Sequence, residues 1–169
     1  MTASSTAIVP ATASDLPTVQ RLAEVIWHRH YPGILAVEQI DYMLARGYSL
    51  DALAGYLGKP ATGLLLGLNH GNAIGFVAYR PADEPATMRL DKLYVLPEFH
   101  GQGWGRRLID AVLAAARAAH ARTCILNVNK QNTASIRAYE HCGFVIRDSV
   151  VLDIGGGHVM DDYVMARTV

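Results

Sequence analysis

One stretch limits the folds open to this chain. Residues 90–96 read Leu-Asp-Lys-Leu-Tyr-Val-Leu, apolar enough for a buried strand within a predicted strand 87–96. Glycines follow at 101, 103 and 105, and then Leu108, Val112, Ala115 and Ala119 recur at helical spacing over a predicted helix 104–120. A strand that passes through a glycine turn into a helix makes a receptor for an anion. Glycine has no side chain, so backbone N–H groups converge on one small volume, and the helix N-terminus adds a partial positive charge. Arg106 and Arg107 set two formal charges beside it.

Two familiar phosphate-binding patterns fit poorly. The nucleoside-triphosphate loop ends Gly-Lys-Ser/Thr, whereas this turn ends Gly105-Arg106-Arg107. The dinucleotide fingerprint needs a third glycine where Arg106 stands, and an acidic residue about 20 positions on. The strand near 125 reads Ile125-Leu126-Asn127-Val128-Asn129, with no carboxylate.

A third pattern fits. His100-Gly101-Gln102-Gly103-Trp104-Gly105 resembles the Gln/Arg-x-x-Gly-x-Gly/Ala motif of the GNAT superfamily of N-acetyltransferases, with His where Gln or Arg is usual. Residues 125–144 are similar to the second signature of that family: a strand, Asn132 opening a helix, Tyr139 seven residues later, then Gly143-Phe144 starting a strand. Both segments stand in the family's order, and the chain's ending, 154–167, resembles bacterial members of the polyamine and small-amine branch.

The resemblance implies an α/β (α+β) GNAT fold. Its sheet is central, mixed and mostly antiparallel, of about seven strands, with a splayed parallel pair and helices on both faces. It implies acetyl-CoA as cosubstrate, with the pyrophosphate on His100, Gly101, Gln102, Gly103, Trp104, Gly105 and Arg106. The pantetheine arm would pair with the main chain of Leu93 and Val95, opened by a bulge expected around 93–95, and reach Asn132, Ser135 and Tyr139.

An amine attacking a thioester must be unprotonated, an oxyanion must be held, and a thiolate must leave. The resemblance assigns the oxyanion to the N–H near Val95 and the thiolate's proton to Tyr139. Seven residues of helix turn about 700°, so Asn132 and Tyr139 return to nearly one face, which Ser135 shares. Asn132 is also a good N-cap by itself. For the amine's proton the family pattern points to a carboxylate on the glycine-loop strand, here Asp91. The alternative is that Asp91 pairs with Lys92 or Arg89. His28, His30 and His141 are further candidates, and Glu98 reads as solvated.

Charge and composition bound the rest. Fifteen basic residues balance fifteen acidic ones among 169, half of them apolar. That argues for a single domain, 1–169, and against a nucleic acid or a membrane surface as partner. The start carries neither a basic residue nor an apolar run, and no stretch reaches membrane-spanning length, so a cytoplasmic protein is expected. Cys124 and Cys142 suit small buried groups in a reducing compartment. No cluster has metal-ligand spacing, so no metal is expected.

Helices are predicted at 16–29, capped by Ser14-Asp15, and at 37–46, 49–56 and 133–142. Strands are predicted at 7–10, 62–68, 73–80, 123–128, 144–154 and 159–168. Asn69-His70-Gly71-Asn72 marks a hairpin. Family position puts the acceptor site after the first helix, where Trp27, His30 and Tyr31 make an aromatic, mildly basic wall suited to a small molecule. A small primary amine such as a polyamine is the favoured acceptor. A polycation would call on Glu24, Glu38, Asp41, Asp161 or Asp162. A protein or peptide α-amine, and a non-catalytic acyl-CoA-binding or regulatory domain, stay open, and the exposed strands allow a homodimer.

Overall fold

The structure is a computed structural model that describes residues 5–169. The elements run β1 (Thr6–Pro10), α1 (Leu16–His30), α2 (Val37–Gly47), α3 (Leu50–Ala54), β2 (Gly63–Asn69), β3 (Asn72–Pro81), β4 (Thr87–Val95), α4 (Trp104–Ala118), β5 (Thr123–Asn129), α5 (Thr133–His141), β6 (Val145–Gly155) and β7 (His158–Thr168). The strands form one seven-stranded sheet in the order β1-β2-β3-β4-β5-β7-β6. Every neighbouring pair is antiparallel except β4 and β5. No helix among the described residues is long and apolar enough to cross a membrane.

Local chemistry accounts for most boundaries. His70 and Gly71 both take left-handed φ, 49° and 79°, as a two-residue hairpin turn requires. Two expectations change. Asp15 does not cap α1 through its side chain; its Oδ2 instead accepts from Thr12 N–H (2.7 Å) and Thr12 Oγ1–H (2.9 Å), closing a 3-10 turn ahead of the helix. Helix α4 stops at Ala118, before His120 turns left-handed at φ 58°.

Strand β3 shows how the core divides. Phe76 and Ala78 pack under α1, α2 and α3, with Val19, Ile26, Ile40 and Leu53. Val77 points the other way, under α4, with Met88, Leu108, Val112 and Leu126. The buried face of α4 is Trp104, Leu108, Ile109, Val112, Leu113 and Ala116, so the stripe turns away from the expected Ala115 and Ala119. Alternate residues of one strand thus feed two cores on opposite sides of the sheet.

The parallel pair is short. β4 and β5 pair only at Thr87–Thr123, Met88–Cys124 and Arg89–Ile125, and then diverge. The bulge lies earlier than expected. Tyr79 faces Leu90 and Ala78 faces Lys92, which leaves Asp91 as the extra residue, not 93–95. The cause is visible in the spacing. Leu90 and Leu93 both belong to the α4-side core, yet they are three apart, and a regular strand would put them on opposite faces. One inserted residue restores the alternation, and Asp91 and Lys92 both turn toward Tyr56, on the α1–α3 side.

Candidate active site

The divergence of β4 from β5 opens the centre of the sheet. Leu96 N–H donates to Ile74 O at 2.8 Å, toward β3. By strand alternation, the N–H and C=O groups of Val95 and Leu93 then point into the gap. Cavities meet there from both sides. One, of about 410 Å³, lies on the α1–α3 side, walled by Trp27, Tyr31, Tyr48, Lys92, Tyr94 and Asp162. The other, of about 510 Å³, lies on the α4–α5 side, against Gly101, Gly103, Ile109, Ala134, Ala138 and Cys142. His30, Leu93, Val95, His100, Ser135 and Tyr139 line both.

The glycine turn is built as an open cradle. Gly101 and Gly103 take φ 73° and 82°, which a residue with a Cβ adopts at a cost, and no atom lies within 4 Å of where a Cβ would stand on Gly101, Gly103 or Gly105. The space over these main-chain amides suits a pyrophosphate. The side chains around it are largely committed elsewhere. His100 Nε2 donates to Val95 O at 2.8 Å, so the ring caps the end of β4 instead of turning that nitrogen to the cradle. Gln102 Nε2 donates to Glu98 O (3.2 Å), and Arg106 Nη2 to His141 O (2.8 Å), tying α4 to the end of α5. Trp104 is buried in the α4-side core and offers the loop its backbone, while Arg107 lies 4.5 Å over the Trp104 ring.

Asn132 joins the two halves. Its Oδ1 accepts the Ser135 N–H (3.4 Å), the N-cap bond of α5, and lies 3.1 Å from Nε2 of His30 at the end of α1. An oxygen that accepts the cap bond can only accept from the ring as well, so Nε2 of His30 carries the hydrogen and Nδ1 keeps its lone pair. Burial lowers the His30 pKa against the raising effect of Asn132, which keeps the imidazole neutral at neutral pH. Tyr139 packs edge-on against Phe144, and its hydroxyl has no hydrogen-bond partner among the described residues. Burial pushes its pKa well above the usual range, so the phenol stays protonated.

Trp27 and Tyr31 stack with ring centroids 4.4 Å apart, and Tyr31 Oη lies 2.9 Å from Tyr94 Oη. Burial raises the Tyr31 phenol to about 12. Asp91 takes the ion-pair alternative, with a partner the sequence did not suggest. Its Oδ2 accepts from Arg80 Nε (2.7 Å) and Tyr56 Oη (2.6 Å), whereas Arg89 donates to Asn127 Oδ1 (2.7 Å).

Asp162 is more consequential than the sequence suggested. It is 5% exposed, and its Oδ1 is buried without a partner. Its Oδ2 has only Asn127 Nδ2, at 3.5 Å, and burial raises its pKa above the ordinary carboxylate value. The signal was the Asp161-Asp162 pair in a strand. Neighbours in a strand face opposite ways, so when Asp161 reaches Lys130 at the surface, Asp162 must point inward. Trp27 lines the same cavity, and its Nε1 is likewise buried without a partner among the described residues.

A sheet parted between two strands, with a glycine cradle on one side and an aromatic cavity on the other, defines a protein with a through-slot in which a phosphate-bearing ligand and a second molecule could meet. The comparisons agree. Residues 22–144 match the Acetyltransferase (GNAT) family model. An uncharacterised N-acetyltransferase of Mycobacterium tuberculosis is 32% identical over 136 residues, covering 80% of this chain and 86% of that protein. Phosphinothricin N-acetyltransferase of Alcaligenes faecalis is 33% identical over 121 residues, covering 70% of this chain and 58% of that protein. Among solved structures, the PaiA N-acetyltransferase of Thermoplasma acidophilum in complex with coenzyme A superposes with a TM-score of 0.84 at 22% identity, over 98% of this chain and 99% of that one. The chain belongs to the GNAT acetyltransferase family and is an acetyl-CoA-dependent N-acetyltransferase.

Proposed function

We propose that this enzyme acetylates a small primary amine by direct attack on the thioester, with the acceptor entering on the α1–α3 side and the coenzyme on the α4–α5 side. One observation carries the reading: the two cavities meet at the splay and share His30, Ser135 and Tyr139. The amides of Gly101, Gly103 and Gly105 and the first turn of α4 would hold the pyrophosphate. The gap-facing main chain of Leu93 and Val95, with Asn132 and Ser135, would hold the pantetheine arm. Bound there, acetyl-CoA supplies a thioester carbon that accepts the amine and a thiolate that leaves.

The residues of this chain divide the remaining work. His30 takes the proton of the amine at Nδ1, because its neutral tautomer is set by Asn132. Asp91 is the weaker candidate for that proton, since Arg80 and Tyr56 hold its Oδ2. The Val95 N–H faces the place where charge develops on oxygen. Tyr139 delivers a proton from Oη at the sulfur, and its lack of a competing partner leaves it free to do so. Trp27 and Tyr31 wall the acceptor cavity and limit its size.

Free thiol released from acetyl-CoA, measured over a panel of small amines, tests this reading. Release with one class and its loss in Tyr139→Phe supports it; no release with any amine would sink it.

A further inference from the structure

The acceptor cavity holds charges of both signs that the protein does not neutralise. Asp162 lines the cavity, and its Oδ1 is buried with no partner. Arg89 and Lys92 line it too, and neither forms an ion pair among the described residues. Lys92 Nζ is held 4.3 Å over the Tyr48 ring, and burial lowers its pKa. Asp91, the other carboxylate on the wall, is already bridged to Arg80. A buried charge without a counter-charge is costly unless a ligand supplies one.

The spacing of these groups is informative. Arg89 Nη1 donates to Asn127 Oδ1 at 2.7 Å, and Asn127 Nδ2 lies 3.5 Å from Asp162 Oδ2. The guanidinium and the carboxylate are therefore separated by two hydrogen bonds and one carboxamide. An ammonium and a carboxylate on one carbon, each held by one hydrogen bond, span a similar length. We propose that the acceptor is a small zwitterion of the α-amino acid type, its ammonium on the Asp162 carboxylate and its acid group on Arg89 and Lys92. This rests on the acetyl-transfer reading for its chemistry but not for its binding.

The same charges favour such a zwitterion over the polyamine expected from the sequence. A polycation has no acid group to offer, and it meets two cations for one free carboxylate. A zwitterion instead compensates all three. Once the nitrogen is acetylated its charge is gone. Asp162 then has no counter-ion, and the product is released more readily than the substrate.

Calorimetry on the coenzyme A-loaded protein tests this with matched ligands: phenylalanine, phenylalaninamide and phenethylamine; glutamate and γ-aminobutyrate; and spermidine. At least one α-amino acid should bind tenfold or more tightly than its counterpart lacking the α-carboxylate. That preference should vanish in Lys92→Met and in Arg89→Gln, and Asp162→Asn should weaken the amino acid at least tenfold. Amines lacking the α-carboxylate binding as well as the amino acids, spermidine binding best, or no amino acid binding at all would overturn the proposal. Thiol release separates the two readings. Selective binding without release removes acetyl transfer and leaves the zwitterion site, whereas equal release with amines lacking the α-carboxylate removes the zwitterion alone.

Discussion

His30 Nε2 and Asn132 Oδ1 lie 3.1 Å apart although 102 residues separate them in the chain. The contact clamps the end of α1 to the start of α5 across the slot. Asn132→Ala removes this bond and the N-cap bond to Ser135 together. A cap of this kind contributes about 1 kcal/mol, so denaturant unfolding should show a loss of that order. The raising influence of Asn132 on His30 also disappears, and an NMR titration should find the imidazole pKa lower still.

His30 as proton acceptor implies an acid limb in kcat/KM. Its folded pKa lies below the ordinary 6.5, so activity should persist under pH 6.5 and fall only when the ring protonates. His30→Gln should flatten that limb and lower kcat by about 10² or more. An unchanged profile would move the proton acceptor elsewhere.

Tyr139→Phe keeps the ring against Phe144 and deletes only a hydroxyl with no partner among the described residues. Coenzyme A affinity and thermal stability should stay near wild type while kcat falls by about 10² or more. Stopped-flow thiol release would separate this from a defect in binding.

Asp162 should weaken the fold where it is ionised. Its folded pKa is raised above the unfolded value, so its stabilising contribution is present only at low pH and is lost as pH rises through the folded pKa. Asp162→Asn should therefore unfold at a higher temperature than wild type at neutral pH. The difference should shrink as the pH is lowered through the raised carboxylate pKa. With the proposed ammonium contact gone, the same variant should also be a poor enzyme.

Gly103→Glu tests the cradle. Nothing lies within 4 Å of the new Cβ, so packing is preserved, and the left-handed φ of 82° adds about 1–2 kcal/mol of backbone strain. A negative charge among the amides proposed to hold the pyrophosphate should weaken coenzyme A binding by about 10² or more. Normal affinity by calorimetry would place the pyrophosphate elsewhere.

The chain's local chemistry determined its elements and the glycine cradle at one side of the slot. Periodicity marked α4, His70-Gly71 marked the hairpin, and the glycines at 101, 103 and 105 with Asn132 and Tyr139 marked the family, because turn conformation and helix caps depend on neighbours in sequence. The bulge at Asp91 was implicit in the odd spacing of Leu90 and Leu93, but only once both were known to share a core. The partners of the site's polar groups were decided by tertiary structure alone. Asp91 meets Arg80 and not Lys92, His100 turns back onto Val95, and Asp162 rather than Asp161 is buried facing Arg89 across Asn127. The reason is physical: whether a charge is neutralised, solvated or left waiting depends on which strands and helices close over it, and those come from distant parts of the chain.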